Sequence, residues 1–160
     1  MRQRLALGAL GLVVLALAVT VGLLAQRLVT AHRSGSAEVA ATRAAAELTP
    51  VLLGYDWRTL DDDTTRIEAA TTGPFAAQNR AIVASLVVPA ALETRASSAA
   101  TVERVAVVSA APDRVETLVL YTQTTRREGD PAVTREPRGA RVALAPDDED
   151  HWLVAGFDAL

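Results

Sequence analysis

The run Leu5–Ala25, LALGALGLVVLALAVTVGLLA, constrains this chain more than any other stretch. It carries no charged residue, and Thr20 is its only polar side chain. As a helix its 21 residues extend about 31 Å, close to the roughly 30 Å hydrocarbon core of a bilayer. A helix satisfies its own backbone hydrogen bonds, so such a run crosses lipid unaided. The reading is a cytoplasmic tail at 1–4, a transmembrane helix at 5–25, a juxtamembrane connector at 26–36 and an extracytoplasmic domain at 37–160. That makes a single-pass protein of the cytoplasmic membrane, N-terminus inside, with its C-terminal domain on the periplasmic or cell-envelope side. The charge bias behind this direction is slight: Arg2 and Arg4 stand against Arg27 and Arg33. A cleaved signal peptide competes, with Val29-Thr30-Ala31 as an A-x-A-like site, but signal cores usually run about 7–15 residues. A buried core helix fits less well, because the run is apolar on every side.

The remainder of the chain, beyond Ala25, is long enough for one domain with a real core. The whole chain carries a net charge of −3, and three of its arginines (Arg2, Arg4, Arg27) flank the apolar run, so the domain itself is more acidic still. Nucleic-acid binding rests on clustered cations that neutralise phosphates, and this balance argues against it. There is no cysteine, which excludes disulfides and thiolate metal sites and leaves the fold to its core. No Gly-rich phosphate loop, H-E-x-x-H or G-x-S-x-G is present, and no cofactor or metal is expected.

Along the domain, Ser36 is a plausible helix cap, and Ala37 to about Gly54 is Ala-rich, with Val39, Ala46 and Leu53 at helical spacing; Pro50 is expected to kink or end that helix near Thr49. In Tyr55-Asp56-Trp57-Arg58-Thr59-Leu60-Asp61-Asp62-Asp63, Thr59 and Asp62 have capping-box spacing and the three aspartates fall in a first turn, where the helix dipole favours them. Leu60, Thr64, Ile67 and Ala70 share a face. Gly73 and Pro74 end that helix. Phe75 opens a third, with Ile82 and Leu86 on its packed face and a kink at Pro89. After Ser98 the apolar period changes from 3.6 to 2. Strands are expected at 101–110, 115–125, 138–145 and 151–158, with turns at Pro112-Asp113 and 146–150 and an exposed loop at 126–137. The second strand is apolar on both faces and reads as central, covered on each side. In the last, Trp152 and Val154 share one face, and Leu153, Ala155 and Phe157 the other. The expected fold class is α+β: three helices on a curved antiparallel sheet of about four strands, forming a cone with an apolar interior.

The order of these pieces — anchor, Ala-rich helix, YDWRTLDDD segment, Thr72-Gly73-Pro74-Phe75, the Leu118–Gln123 strand LVLYTQ and a closing His151-Trp152-Leu153-Val154 — resembles the Mce-associated membrane proteins of actinobacteria. The resemblance covers nearly the whole chain and departs from the family in the short tail and Trp57. It implies a nuclear-transport-factor-2-like cone, similar also to the bitopic assembly subunit of VirB-type secretion channels. It further implies a non-catalytic accessory subunit of an Mce lipid-import complex, with Mce transporter subunits, the cytoplasmic membrane and lipid as partners. A VirB-type secretion assembly subunit, or a lipid carrier or enzyme using the cone cavity, are the alternatives.

Several residues invite a sharper reading. Asp61–Asp63 and Asp147–Asp150 could hold a cation, but neighbours in one turn do not converge on one ion and the EF-hand spacing is missing; both read as solvated. His151 beside Asp150 could be an acid–base pair, yet adjacent strand residues point to opposite faces. Tyr55, Trp57, Phe75, Tyr121 and Trp152 either pack the core or line a cavity. A cone enzyme of the ketosteroid-isomerase kind needs an Asp inside the sheet, and no carboxylate is expected there.

Overall fold

The structure is a computed structural model, and it describes residues 35–160. The expected tail, membrane span and nearly all of the connector lie outside the described residues. The first helix, α1, occupies residues 35–53. It already includes residue 36, so Ser36 sits within the helix instead of capping it. It also runs through Pro50 to residue 53; Pro50 lacks the N–H that would bond the Ala46 carbonyl, which costs one intrahelical bond in the last turns of the helix. The next residues, Tyr55–Asp56, form a short strand, β1. Then come α2 (Leu60–Ala69) and α3 (Gly73–Ile82), continued by a π segment (Val83–Val87) and α4 (Val88–Thr94). Four long strands complete the chain: β2 (Ala96–Ala111), β3 (Arg114–Arg127), β4 (Val133–Pro146) and β5 (Trp152–Ala159).

The strands make one antiparallel sheet in the order β1-β2-β3-β4-β5. This is the expected α+β class, with five strands instead of about four; the extra one is the two-residue β1, which pairs Tyr55 with Ser98 and Asp56 with Ser97. Register shifts in β2 at Val102/Arg104 and Val107/Ser109 insert bulges, and bulges bend and twist a sheet. The sheet therefore curls around its helices. β5 would otherwise be a bare edge, but residues 70–72 cover it: Thr72 N–H donates to the Val154 carbonyl at 2.9 Å and Val154 N–H to the Ala70 carbonyl at 2.9 Å.

The core lies between the concave face and the helices. α1 contributes Ala37, Ala41 and Ala45, small residues four apart that let the helix approach closely, and Leu52 near its end. α2 adds Ile67, and the π segment adds Val83. The sheet supplies Val115, Val119 and Tyr121 from β3, Ala140, Val142 and Leu144 from β4, and Val154 from β5. Each fully buried Val or Leu is worth about 1.5–3 kcal/mol. Two fully buried hydroxyls are satisfied, Thr49 Oγ1 donating to the Ala45 carbonyl at 2.7 Å and Thr117 Oγ1 to the Val142 carbonyl at 3.2 Å.

Four local expectations are corrected. β3 is central, but its convex side is not covered: Leu120 is exposed. The 126–137 loop shrinks to the residues between Arg127 and Val133, because strand pairing continues out to Arg126–Val133. Pro137 sits inside β4, beyond the stretch that pairs with β5, which is the edge position a proline tolerates. Phe157 turns to the core side and packs against Tyr121, ring centroids 6.4 Å apart and tilted by 53°; a register shift at Ala143/Leu144 gives β5 one extra residue and reverses its alternation. Ile82 and Leu86 point outward, 43% and 65% exposed, and Val83, Val87 and Ala91 take the packed side.

Candidate functional site

The densest polar chemistry is at the junction of β1 and α2. Thr59 caps α2 with its backbone only and makes no side-chain cap bond, so the Thr59–Asp62 capping box does not form. Its hydroxyl instead donates to Asp63 Oδ2 at 3.0 Å. Asp63 is 3% exposed, and so is not part of a solvated run. Its Oδ2 also accepts the Asp56 backbone N–H at 2.7 Å, and its Oδ1 accepts Arg66 Nη2. A buried carboxylate is tolerable only when paired and hydrogen-bonded, and here both conditions hold. Asp56 in turn accepts the Arg58 backbone N–H at 2.9 Å, and that bond foremost lowers its pKa.

Around this knot opens a cleft of about 480 Å³, lined by Tyr55, Asp56, Asp63, Arg66, Ser97 and Arg126 among others. On its flank, two guanidinium groups lie over the Trp57 ring, with Arg58 Cζ 4.6 Å and Arg95 Cζ 5.6 Å from its centroid. Glu128 holds both arginines, accepting Arg58 Nη2 at 2.9 Å and Arg95 Nη1 at 3.0 Å. Arg95 takes a left-handed backbone, φ 47°, to turn the chain from α4 into β2. Its carbonyl accepts the Glu128 N–H at 3.0 Å, closing the cluster across the sheet. Trp57 Nε1 is buried with no hydrogen-bond partner among the described residues.

The five aromatics singled out by sequence do not share one cavity. Tyr121 is buried, and burial raises its pKa against the opposing pull of Arg138. Phe75 and Trp152 pack on the core. Tyr55 lines the cleft. Trp57 stands apart, in the arginine cluster. Sequence reasoning missed Arg58, Arg95 and Glu128, because 70 residues separate Arg58 from Glu128 and no local pattern joins them.

The second acidic run behaves differently. Asp147 Oδ1 accepts the backbone N–H of Glu149 at 2.9 Å and of His151 at 2.8 Å, and the latter bond foremost lowers its pKa. The His151 ring faces Asp147 and Glu149, at 3.5 and 3.7 Å, and its strand neighbour Asp150 is not its partner. Among the described residues no group of three or more His, Cys, Asp or Glu is placed to hold a metal. In both clusters a carboxylate braces a turn by accepting backbone N–H groups, Asp63 from Asp56 and Asp147 from Glu149 and His151.

The two clusters sit at opposite poles. β2 spans 16 residues, roughly 50 Å of strand. At its end, Pro112 lies with Pro146, Asp150 and the start of α1 around one hollow. At its beginning lie Arg95, Glu128 and Trp57.

The chain matches no family model. It is 30% identical over 156 residues to the Outer membrane protein Rv1973 of Mycobacterium tuberculosis, covering 98% of this chain and 96% of that one. It is 32% identical over 124 residues to the Uncharacterized protein Rv1362c of the same organism, covering 78% of this chain; the chain spans about half, 56%, of the length of that relative. Among solved structures it is similar to an IcmL-like type IV secretion system protein of Legionella pneumophila, TM-score 0.63 at 9% identity over 74% of this chain and 88% of that one. It is also similar to CagV, a VirB8 homolog of Helicobacter pylori, TM-score 0.60 at 8% identity over 76% and 96%. A third is the VirB8 protein of Agrobacterium tumefaciens, TM-score 0.59 at 12% identity over 78% and 92%. At such identities the likeness is one of fold: the domain has the VirB8-like, nuclear-transport-factor-2-like architecture.

Proposed function

The chain belongs to the family of the mycobacterial Outer membrane protein Rv1973, and from that premise we propose that it is a membrane-anchored, non-catalytic assembly subunit of a transport machine in the cell envelope. The observation that carries this reading is the fold, shared with the domains of type IV secretion proteins over about three quarters of the chain. Tethered through 5–25, the domain meets the membrane side with its acidic pole, where α1 begins. The opposite pole presents Trp57, Arg58 and Arg95. Tryptophan and arginine are the residues most enriched in interface hot spots, so this pole is the docking surface for other subunits.

A second reading specifies the machine as an Mce-type lipid importer. The YDWRTLDDD segment, the LVLYTQ strand and the closing His151–Val154 favour it, since these are the pieces that resemble Mce-associated proteins. Affinity purification of the full chain from mild detergent separates the two. Secretion ATPase and channel subunits are expected on the first reading, Mce substrate-binding proteins and permeases on the second, and Trp57→Ala should release either set. Recovery of this chain alone, with transport intact after its deletion, sinks both.

A further inference from the structure

Of the acidic run 147–150, Asp147 is used locally and Asp150 is not. Asp147 accepts two backbone N–H groups, and the His151 ring faces Asp147 and Glu149. The Asp150 carboxylate has no ion pair among the described residues. It lines two hollows at the start of α1. One is the hollow shared with Pro112 and Pro146. The other holds about 910 Å³ and is walled mainly by apolar groups, Val39, Ala40, Ala44 and Trp152, together with Asp150 and His151. Val39 is 73% exposed there, so no described residue covers its apolar surface.

We propose that the part of the connector before Gly35, residues 26–34, covers this larger hollow, with Arg33 paired to Asp150 and with Leu28 and Val29 laid over Val39. The chain enters the described residues at Gly35, which itself lines the hollow. Arg33 is two residues from it, about 7 Å of backbone. The charges match: residues 26–34 hold Arg27, His32 and Arg33 and no acid, against an acidic turn. The apolar surfaces match as well, since Leu28 and Val29 are the large apolar side chains of this segment. The seven steps from Leu28 to Gly35 reach at most about 25 Å, and Val39 is only about 6 Å along α1 from Gly35, so the return is easily spanned. An exposed ion pair alone is weak. The apolar contact adds to it, and the covalent link gives the connector a high effective concentration that a separate partner has to overcome. A lipid surface fits less well, because anionic headgroups repel Asp148, Glu149 and Asp150. The contact itself stands on these residues alone. Its consequence rests on the membrane-anchored reading: it sets the domain at one angle to its span and holds the Trp57 pole away from the bilayer.

The chain has no cysteine, so two nitroxide labels can be placed cleanly. Thr30→Cys and Thr101→Cys, the latter exposed on β2, are labelled in the full chain in detergent micelles, and their separation is read by double electron–electron resonance. One narrow distance distribution is expected. Asp150→Asn, which suits the left-handed backbone at that position (φ 62°), should broaden it at least about twofold, and so should Arg33→Asp. Arg33→Asp combined with Asp150→Arg should bring back the starting width. Val39→Asp, at an exposed position, should broaden it as well. A broad distribution in the starting pair, a width untouched by Asp150→Asn or by Val39→Asp, or no recovery in the double reversal overturns the proposal. The measurement uses the isolated chain, so its result does not depend on whether transport subunits co-purify.

Discussion

Asp63 holds the backbone N–H of Asp56 at 2.7 Å from a position one turn into α2, and this single bond joins the shortest strand of the sheet to the helix that follows it. The same carboxylate takes the Thr59 hydroxyl and the Arg66 guanidinium. The whole turn carrying Trp57 and Arg58 is thus closed by one buried side chain.

Removing that carboxylate leaves a buried backbone donor, a hydroxyl and a guanidinium without their acceptor. Each loss costs about 1–3 kcal/mol when the group stays buried, but Arg66 is mostly exposed and water replaces its partner. Asp63→Ala is therefore expected to destabilise the domain by about 2–4 kcal/mol, read as a shift in the urea midpoint. Asp63→Asn keeps an acceptor and should lose about half as much. A midpoint unchanged by Asp63→Ala contradicts this account.

Arg95 combines a cost with two gains. Its left-handed backbone costs a non-glycine residue about 1–2 kcal/mol, while its side chain stacks on Trp57 and binds Glu128. Arg95→Ala keeps the cost and loses both gains, so it should destabilise by about 1–2 kcal/mol. Arg95→Gly loses the gains but removes the cost, and should come out about 1 kcal/mol more stable than Arg95→Ala. Thermal melts of the three proteins decide this, and tryptophan emission should shift in both variants as Trp57 loses a neighbour.

Asp147 gives a pH dependence whose sign follows from its hydrogen bonds. The carboxylate is held below its ordinary value of 3.8, so its stabilising effect is fully present above that value and is lost as pH falls through the lowered one. The turn before β5 should stay closed at neutral pH and open only in strong acid. Amide signals of Glu149 and His151 are expected to titrate together in that acid window, and Asp147→Asn should abolish the shared titration. A shared titration that survives in Asp147→Asn would overturn this assignment.

Much of the fold was legible because its signals are periodic. Two-residue alternation from Val115 onward marks β3, and Ala content with the helical spacing of Val39, Ala46 and Leu53 marks α1, although Val39 is exposed and the packed face is that of Ala37, Ala41 and Ala45. The misses have one physical origin: each depends on a partner distant in sequence or on a local break in period. The alternation of β5 places Phe157 on the face opposite Val154 until a bulge opposite Ala143 brings both to the core side. Ile82 and Leu86 follow α-helical spacing until the π segment hands the packed side to Val83 and Val87. Residues 126–137 are polar, with Gly129, Pro131 and Pro137, and read as loop because the outer end of β4 has no strand on its free side and so no apolar pattern. The candidate site was half visible: the Tyr55–Asp63 segment stands out, but which aspartate is buried is decided by where the Asp56 N–H lies in space.

Two glycines separate backbone conformation from space. At Gly73, φ is +62° and nothing lies within 4 Å of an added Cβ. Gly73→Ala should therefore cost about 1 kcal/mol from conformation alone, and Gly73→Asn less, since asparagine tolerates the left-handed region. Gly54 needs no unusual φ, but an added Cβ would lie 2.7 Å from the Pro50 carbonyl oxygen. That oxygen is backbone in the last turn of α1, where the Pro50 ring already restricts φ, so it cannot move aside without disturbing the helix end and the start of β1. Gly54→Ala and Gly54→Asn should both cost about 1–3 kcal/mol. Asparagine at the two sites is the discriminating comparison: it should nearly rescue position 73 and fail at position 54, and equal melting temperatures for the two asparagine variants would refute the distinction.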